Sequence, residues 1–416
     1  MSDRTSLYIV DGSRTPFCKF GSLLSDEPPS HLGIVPSKYI LANTGVNPEC
    51  IDDVIFGCCY QPPTTIGNIA RTIGIRSGVR EEVPAVTVHR NCASGFESIT
   101  YAYDKAQAGK GDVFLVGGVE SMSQAPFIFS QDATKKFTSL ARSKTVTQKL
   151  QSLTKFRPSD FSPQISLKMA MVDNLCDMGM GQTAELLARE YNISREQQDE
   201  YAARSHEKAL SSKEILREEI APYHITEDNC IRSHTNKLVV DDNGPREGIS
   251  MSKLSKLRNV FDRREGTVTA GNASQVTDGG AALLLMTQAG LSKTGCTPIA
   301  EICDYAYAGC DPKRMGLGPV HAIKKLDVNV PDMDLVEINE AFASQVLACQ
   351  SYLNVPEDRL NVNGGAIALG HPLAASGTRL VLSLAKELKR RNLKNGLASL
   401  CVGGGQGGAI WIKTNI

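Results

Sequence analysis

Two stretches far apart in the chain repeat one order: a helical run, a stop, a short apolar run, then paired glycines. The first is Ser94 to Ala108, closed by Gly109-Lys110-Gly111, then Asp112-Val113-Phe114-Leu115-Val116 into Gly117-Gly118. The second is Thr378 to Leu393, closed by Lys394-Asn395-Gly396, then Ala398-Ser399-Leu400-Cys401-Val402 into Gly403-Gly404-Gly405. Similar apolar runs lie at Asp53-Val54-Ile55-Phe56-Gly57, Ala85-Val86-Thr87-Val88-His89, Asp334-Leu335-Val336-Glu337-Ile338 and Leu360-Asn361-Val362-Asn363. Short, continuous, β-branched runs fit strands buried on both faces, as parallel sheets with helical crossovers require. The repeated order therefore predicts an α/β protein of two similar halves formed by duplication.

The chain has 416 residues, more than one core usually holds, and 41% of them are apolar, enough to bury several. Lys plus Arg and Asp plus Glu are 45 each, which excludes a global charge for holding nucleic acid. No run approaches the roughly 18 apolar residues of a membrane span. The start, Met1-Ser2-Asp3-Arg4-Thr5-Ser6-Leu7-Tyr8-Ile9-Val10, lacks signal or transit character, and Lys413-Thr414-Asn415-Ile416 is no peroxisomal address. Twelve cysteines without a CxxC pair point to reduced thiols rather than a zinc ribbon. A cytoplasmic protein is the expectation.

The middle differs in character. Lys135, Lys136, Arg142, Lys144, Lys149, Lys155 and Arg157 occur in 134–157 with no acid among them, interleaved with Phe137, Leu140, Leu150, Leu153 and Phe156. Such a face meets a phosphorylated ligand, an anionic membrane or an acidic partner, or is simply solvated. Ser194 with Gln197 reads as a capping box opening a helix over 195–210, and 222–265 reads as polar loop. Together 124–264 look like an insertion between the halves.

Chemistry gathers where the predicted strands end, which is where open α/β sheets place their sites. Cys92, in Asn91-Cys92-Ala93-Ser94-Gly95, sits at a strand-to-helix junction, where a helix N-terminus favours thiolate. His371 precedes Pro372 after a Gly-bounded loop and is held extended, which suits a fixed base. Cys401 and Asn339 end two further strands. Gly403-Gly404-Gly405-Gln406-Gly407-Gly408 matches GxGxxG in form, but only eight residues follow Gly408, too few for the helix and acid a dinucleotide site needs.

The blocks Asn91-Cys92-Ala93-Ser94-Gly95, Gly266-Thr267-Val268-Thr269-Ala270-Gly271-Asn272-Ala273-Ser274, Asn339-Glu340-Ala341-Phe342-Ala343, Gly370-His371-Pro372 and Cys401-Val402-Gly403-Gly404-Gly405 resemble, in order, those of the thiolase family. The similarity runs from Arg14-Thr15-Pro16-Phe17 to the end. It implies a duplicated thiolase fold with a five-layered αβαβα core. The N-terminal half would comprise 1–123 and 265–289, a loop domain for CoA and acyl binding 124–264, and the C-terminal half 290–416.

The resemblance also implies roles. Cys92 would attack a 3-ketoacyl-CoA with His371 assisting its deprotonation, and Cys401 would move the proton of the acetyl-CoA enolate and later that of CoA. His371 and a water held by Asn339 would form one oxyanion hole, the N–H groups of Cys92 and Gly403 the other. Met180, Ala270, Ser274 and Phe342 would line the pantetheine channel, and Lys253, Lys256 and Arg258 would lie near the CoA phosphates. Coenzyme A is substrate here, and no cofactor or metal is implied.

Where short-chain biosynthetic relatives commonly carry His before Met180, this chain has Gly179. Leu153-Thr154-Lys155-Phe156-Arg157-Pro158 resembles thiolase subunits of fatty-acid-oxidation trifunctional complexes. The expected activity is thus cleavage of 3-ketoacyl-CoA of broad or longer chain length in fatty-acid β-oxidation. The expected assembly is a homodimer or homotetramer, with a hydratase/dehydrogenase subunit and peripheral membrane contact through 134–157 as further partners. An acetoacetyl-CoA thiolase working in synthesis is the alternative within the family. A non-catalytic acyl-CoA- or lipid-binding relative, a decarboxylating condensing enzyme and a Cys/His hydrolase are the alternatives outside it.

Overall fold

Ten strands form one mixed sheet that divides into two matching halves. The computed structural model describes residues 4–62, 67–225 and 237–414. Residues 226–236 of the loop expected over 222–265 lie outside these, as do 1–3, 63–66 and 415–416. The strands are β1 (Leu7–Arg14), β2 (Cys18–Lys19), β3 (Asp53–Gly57), β4 (Ala85–Val88), β5 (Val113–Ser121), β6 (Thr277–Thr287), β7 (Ala300–Gly309), β8 (Leu335–Ile338), β9 (Asn395–Val402) and β10 (Gln406–Lys413). Their order is β8-β9-β10-β7-β1-β6-β5-β3-β4, with β2 beside β6. Reading outward from the β1–β7 seam, each half gives two antiparallel pairings and then a parallel one, and the N-terminal half adds a second parallel pairing, β3 with β4. The duplication read from the sequence is thus a duplication of topology.

The apolar runs bury both faces because alternate side chains enter different cores. Ile55, Phe114, Val116, Leu400 and Ile410 face a central core that also holds Phe96 of α3 (Ser94–Gln107). Val54, Phe56 and Leu115 face an outer core under α1 (Pro29–Thr44) and α2 (Ile69–Arg76). On the other side, Val336, Ile338 and Leu397 face a third core with Val346. The middle layer is α3 packed on α10 (Leu373–Arg391), and the far outer layer holds α8 (Gly318–Ile323) and α9 (Ala343–Leu353). Helix, sheet, helices, sheet, helix is the expected five-layered arrangement.

Three local readings need correction. Leu360–Asn363 is not a strand: only Leu360 bridges, to Val336. Asn361 takes a left-handed backbone (φ 44°) and its side chain replaces the ladder, Oδ1 accepting from Ile338 N–H at 2.8 Å and Nδ2 donating to Ile338 O at 2.9 Å. Helix α10 stops at Asn392, whose φ is 54°, so Asn395-Gly396 open β9 rather than close a helix. Gly117-Gly118 do not end β5. The strand runs through them, because a Cβ at Gly118 would lie 1.8 Å from Ala374 O at the start of α10.

Residues 134–157 form α4 (Gln131–Arg142) and α5 (Val146–Leu153), and lie largely exposed. Phe137 packs on Phe129, Phe156 and Phe161 at ring separations of 5.2, 4.9 and 5.9 Å, so the pair closes a small cluster of its own. Helices α6 (Met180–Glu190) and α7 (Arg195–Ser211) follow, and α7 opens on the expected capping box of Ser194 and Gln197. Among the described residues, no helix is long and apolar enough to cross a membrane.

Candidate active site

Cys92 stands on a turn that two hydrogen bonds make rigid. Asn91, in the left-handed region at φ 44°, leaves its carbonyl to accept from Ser94 Oγ at 2.7 Å, while Ser94 Oγ accepts from Arg90 N–H at 2.9 Å. The Asn91 side chain then crosses between the halves, Nδ2 donating to Gly403 O at 2.9 Å. This link brings the glycine run after β9 onto the nucleophile. The N–H groups of Gly403 and of Cys92 itself both reach the Cys92 sulfur.

Burial pushes the Cys92 thiol up to about 11, and those two N–H groups recover only part of that, with the Glu120 carboxylate raising it further. This corrects the sequence expectation that the helix start makes a thiolate. Removal from water outweighs a dipole worth about 0.3–1 kcal/mol. A thiol this weak as an acid needs a base.

His371 supplies one. Its N–H donates to Gln275 O at 2.9 Å, and its Nδ1 lies 2.6 Å from Ser376 Oγ on the first turns of α10. The Ser376 hydroxyl donates to Pro372 O at 3.1 Å, so its oxygen accepts from Nδ1–H. Nε2 is thereby left as the bare nitrogen, and the Asn339 amide Nδ2 faces it at 3.3 Å. Burial, aided by the positive Arg379, lowers His371 to about 4, so the ring is neutral at neutral pH. Asn339 is fully buried, is fixed by its N–H to Ser399 O at 2.9 Å, and leaves Oδ1 unpartnered.

Cys401 lies on β9 and is buried. Burial and then the neighbouring Cys92 push its thiol well above the usual range. Cys92, His371, Cys401 and Gly403 all line one cavity of about 560 Å³, together with the predicted Met180, Ser274 and Phe342. Asn339 reaches it through His371. The structure does not bring Ala270, Lys253, Lys256 or Arg258 to the wall. They are exposed, and Lys253 Nζ donates to Gly248 O at 2.7 Å. Val260 and Phe261, just past Arg258, are on the wall instead.

Sequence reading misses Ser376 and the apolar lining from Met122, Met171, Val172 and Leu373. A serine one helical turn past a His-Pro pair is the signal for the first. The lining residues carry no local mark, being ordinary core types. Among the described residues no His, Cys, Asp or Glu cluster is grouped to hold a metal ion.

This arrangement suits a covalent acyl transfer: a nucleophile with a neutral base, a second thiol, and two N–H groups at the sulfur. A model of the thiolase N-terminal domain matches residues 7–289, and one of the C-terminal domain matches 296–414. The mitochondrial 3-ketoacyl-CoA thiolase of Bos taurus is 40% identical over 413 residues, covering 98% of both chains. An acetyl-CoA acetyltransferase of Cupriavidus necator is 38% identical over 423 residues, covering 98% of this chain and 99% of its own. The crystal structure of human mitochondrial 3-ketoacyl-CoA thiolase in complex with CoA superposes with a TM-score of 0.88 at 37% identity, over 99% of this chain and 98% of that one.

Proposed function

Because the chain belongs to the thiolase family and is an acyltransferase of that kind, we propose that this cavity cleaves 3-ketoacyl-CoA by way of an acyl group on Cys92. The observation that carries the reading is the convergence of Cys92, His371, Cys401 and the Gly403 N–H on one wall.

His371 Nε2 takes the Cys92 proton, and the thiolate attacks the 3-keto carbon. The tetrahedral oxyanion sits against the N–H groups of Cys92 and Gly403. The C2–C3 bond breaks, the acyl group stays on Cys92, and the enolate of acetyl-CoA takes a proton from Cys401. Its oxygen is held at the protonated His371 and a water carried by Asn339. CoA then gives its thiol proton to Cys401, attacks the acyl group, and releases Cys92, which takes its proton back from His371. Each oxyanion donor is worth about 2.7–4 kcal/mol of barrier. Run backward, the same groups perform a Claisen condensation.

Met122, Met171, Val172, Val260, Phe261 and Leu373 make the wall apolar, which supports an aliphatic acyl group and, with it, work in fatty-acid β-oxidation. The loop region 124–264 is proposed to carry CoA, with Met180 on its channel and Lys253, Lys256 and Arg258 at the rim. An acetoacetyl-CoA thiolase in synthesis is the second reading, favoured by the Cupriavidus necator relative. A homodimer or homotetramer, contact of 134–157 with a partner subunit or membrane, and a cytoplasmic location are carried from the sequence as proposals.

The deciding test is CoA-dependent thiolysis across 3-ketoacyl-CoAs from short to long chain, with Cys92→Ala as control. Preference for longer chains supports breakdown, and activity confined to acetoacetyl-CoA supports synthesis. Acylation on another residue would overturn the assignment of Cys92.

A further inference from the structure

Glu120, on β5, is a fully buried acid for which the mechanism above has no use. Among the described residues its hydrogen-bond partners are backbone amides and neighbouring thiols rather than cations. Oε1 accepts from Tyr60 N–H at 2.8 Å, and Oε2 accepts from Cys59 N–H and Ala374 N–H, both at 3.2 Å. The Cys58 thiol is 4.0 Å from Oε1.

Those three amides belong to two segments that each abut the reacting groups. Cys59 follows β3, and its thiol donates to Asn91 O at 3.2 Å, the carbonyl just before Cys92. Ala374 lies in the first turn of α10, three residues past His371 and two before Ser376. The backbones of β5 and α10 are pressed together beside it, at Gly118 and Ala374. A carboxylate fits this cradle and an amide does not. Gln would offer one acceptor oxygen to donors on both sides and turn its own NH₂ against an N–H.

We propose that Glu120 is a positioning residue of the acyl transfer, a charged clamp that ties the Cys92 turn to the start of the helix that orients His371. This rests on the thiolase reading and deepens it. The groups facing Glu120 are Cys58, Cys59 and Tyr60 from the segment after β3, and Cys92 ahead of α3. Each of them feels its negative charge. Burial raises Glu120 itself to about 7, the three N–H groups and the Cys59 thiol pulling the other way, so it ionises near neutral pH. When ionised, it holds Cys92 as a thiol until His371 takes the proton.

Two variants separate clamp from charge. Glu120→Gln removes the charge, so alkylation of Cys92 by iodoacetamide should set in at lower pH than in the wild-type enzyme. The kcat of thiolysis should drop about tenfold or more, with KM within about twofold, as expected of a misplaced nucleophile–base pair. Glu120→Asp keeps the charge but shortens the reach, so it should lower kcat while leaving the alkylation profile in place. The wild-type enzyme gives a check that needs no folded variant: its Cys92 alkylation profile should show an inflection near pH 7, where Glu120 ionises.

Wild-type kcat in Glu120→Gln would overturn the proposal. So would an unmoved alkylation profile with equal thermal destabilisation in both variants, or a wild-type profile without the inflection. If Cys92 is not acylated by any ketoacyl-CoA, the thiolase reading fails. The alkylation profiles still decide the role of Glu120.

Discussion

Replacing Ser376 by Ala removes what is, among the described residues, the one acceptor of the His371 Nδ1–H, buried and 2.6 Å away. Two responses are open to the ring. It can keep the proton on Nδ1, unsatisfied, at a cost of about 1–3 kcal/mol. Or it can move the proton to Nε2 and swing the Asn339 amide so that Oδ1, now unpartnered, accepts it. The second state has no base facing Cys92. Losing the Nδ1 acceptor shifts the balance toward that second state by the same amount, about 1–3 kcal/mol, and the population competent to deprotonate Cys92 falls by up to about 5- to 150-fold, since about 1.4 kcal/mol is a factor of ten. Because Cys92 has been pushed up to about 11, the enzyme has no spontaneous thiolate to fall back on near neutral pH. The assay is the single-turnover rate of Cys92 acylation, followed by mass spectrometry, with Ser376→Thr as the variant that restores the hydroxyl. Acylation in Ser376→Ala at the wild-type rate would show that Ser376 does not set the tautomer, and the argument for His371 as a bare-nitrogen base would go with it.

Cys401→Ala should still acylate Cys92 slowly from an acyl thioester but lose carbon–carbon bond chemistry, and near-normal thiolysis would remove its proton-transfer role. Gly118→Ala drives a Cβ into Ala374 O, costing about 1–3 kcal/mol of stability and displacing α10, read as a lower urea midpoint together with reduced kcat. His371 titrates at about 4 in the fold, below its unfolded value of about 6.5, so its contribution is complete above 6.5 and is lost as pH falls toward 4. Wild type should therefore lose about 3 kcal/mol more than His371→Asn between those pH values, and parallel urea curves would refute it. Glu337 runs the other way: burial raises it to about 7, so its contribution is present below about 4.5 and lost as pH rises through 7, equally in both proteins.

What the sequence by itself determined lies within a few residues or repeats along the chain. The run Asp53–Gly57 is a strand because alternate side chains feed two cores, and the chain writes that as continuous apolarity. Ser194 and Gln197 close a capping box three residues apart, and the doubled order of helix, strand and glycines became a doubled sheet topology. Cys92, Cys401 and Asn339 stood out because strand ends are local, and His371 because a His-Pro pair after a Gly-bounded loop is legible as residue type, although no strand leads into it.

Only the tertiary structure decided the rest, because close approach and removal from water depend on atoms distant in sequence. Asn91 and Gly403 are 312 residues apart, yet their hydrogen bond aims the second N–H at the nucleophile. Cys92 became a weak acid instead of a thiolate because burial, summed over many distant neighbours, exceeds what one helix start offers. Gly117-Gly118 look like a strand end in the sequence and are a strand interior in the fold, since the reason for them is the helix pressed on top. Asn361 keeps the look of a strand residue until its side chain is seen doing the pairing of the backbone.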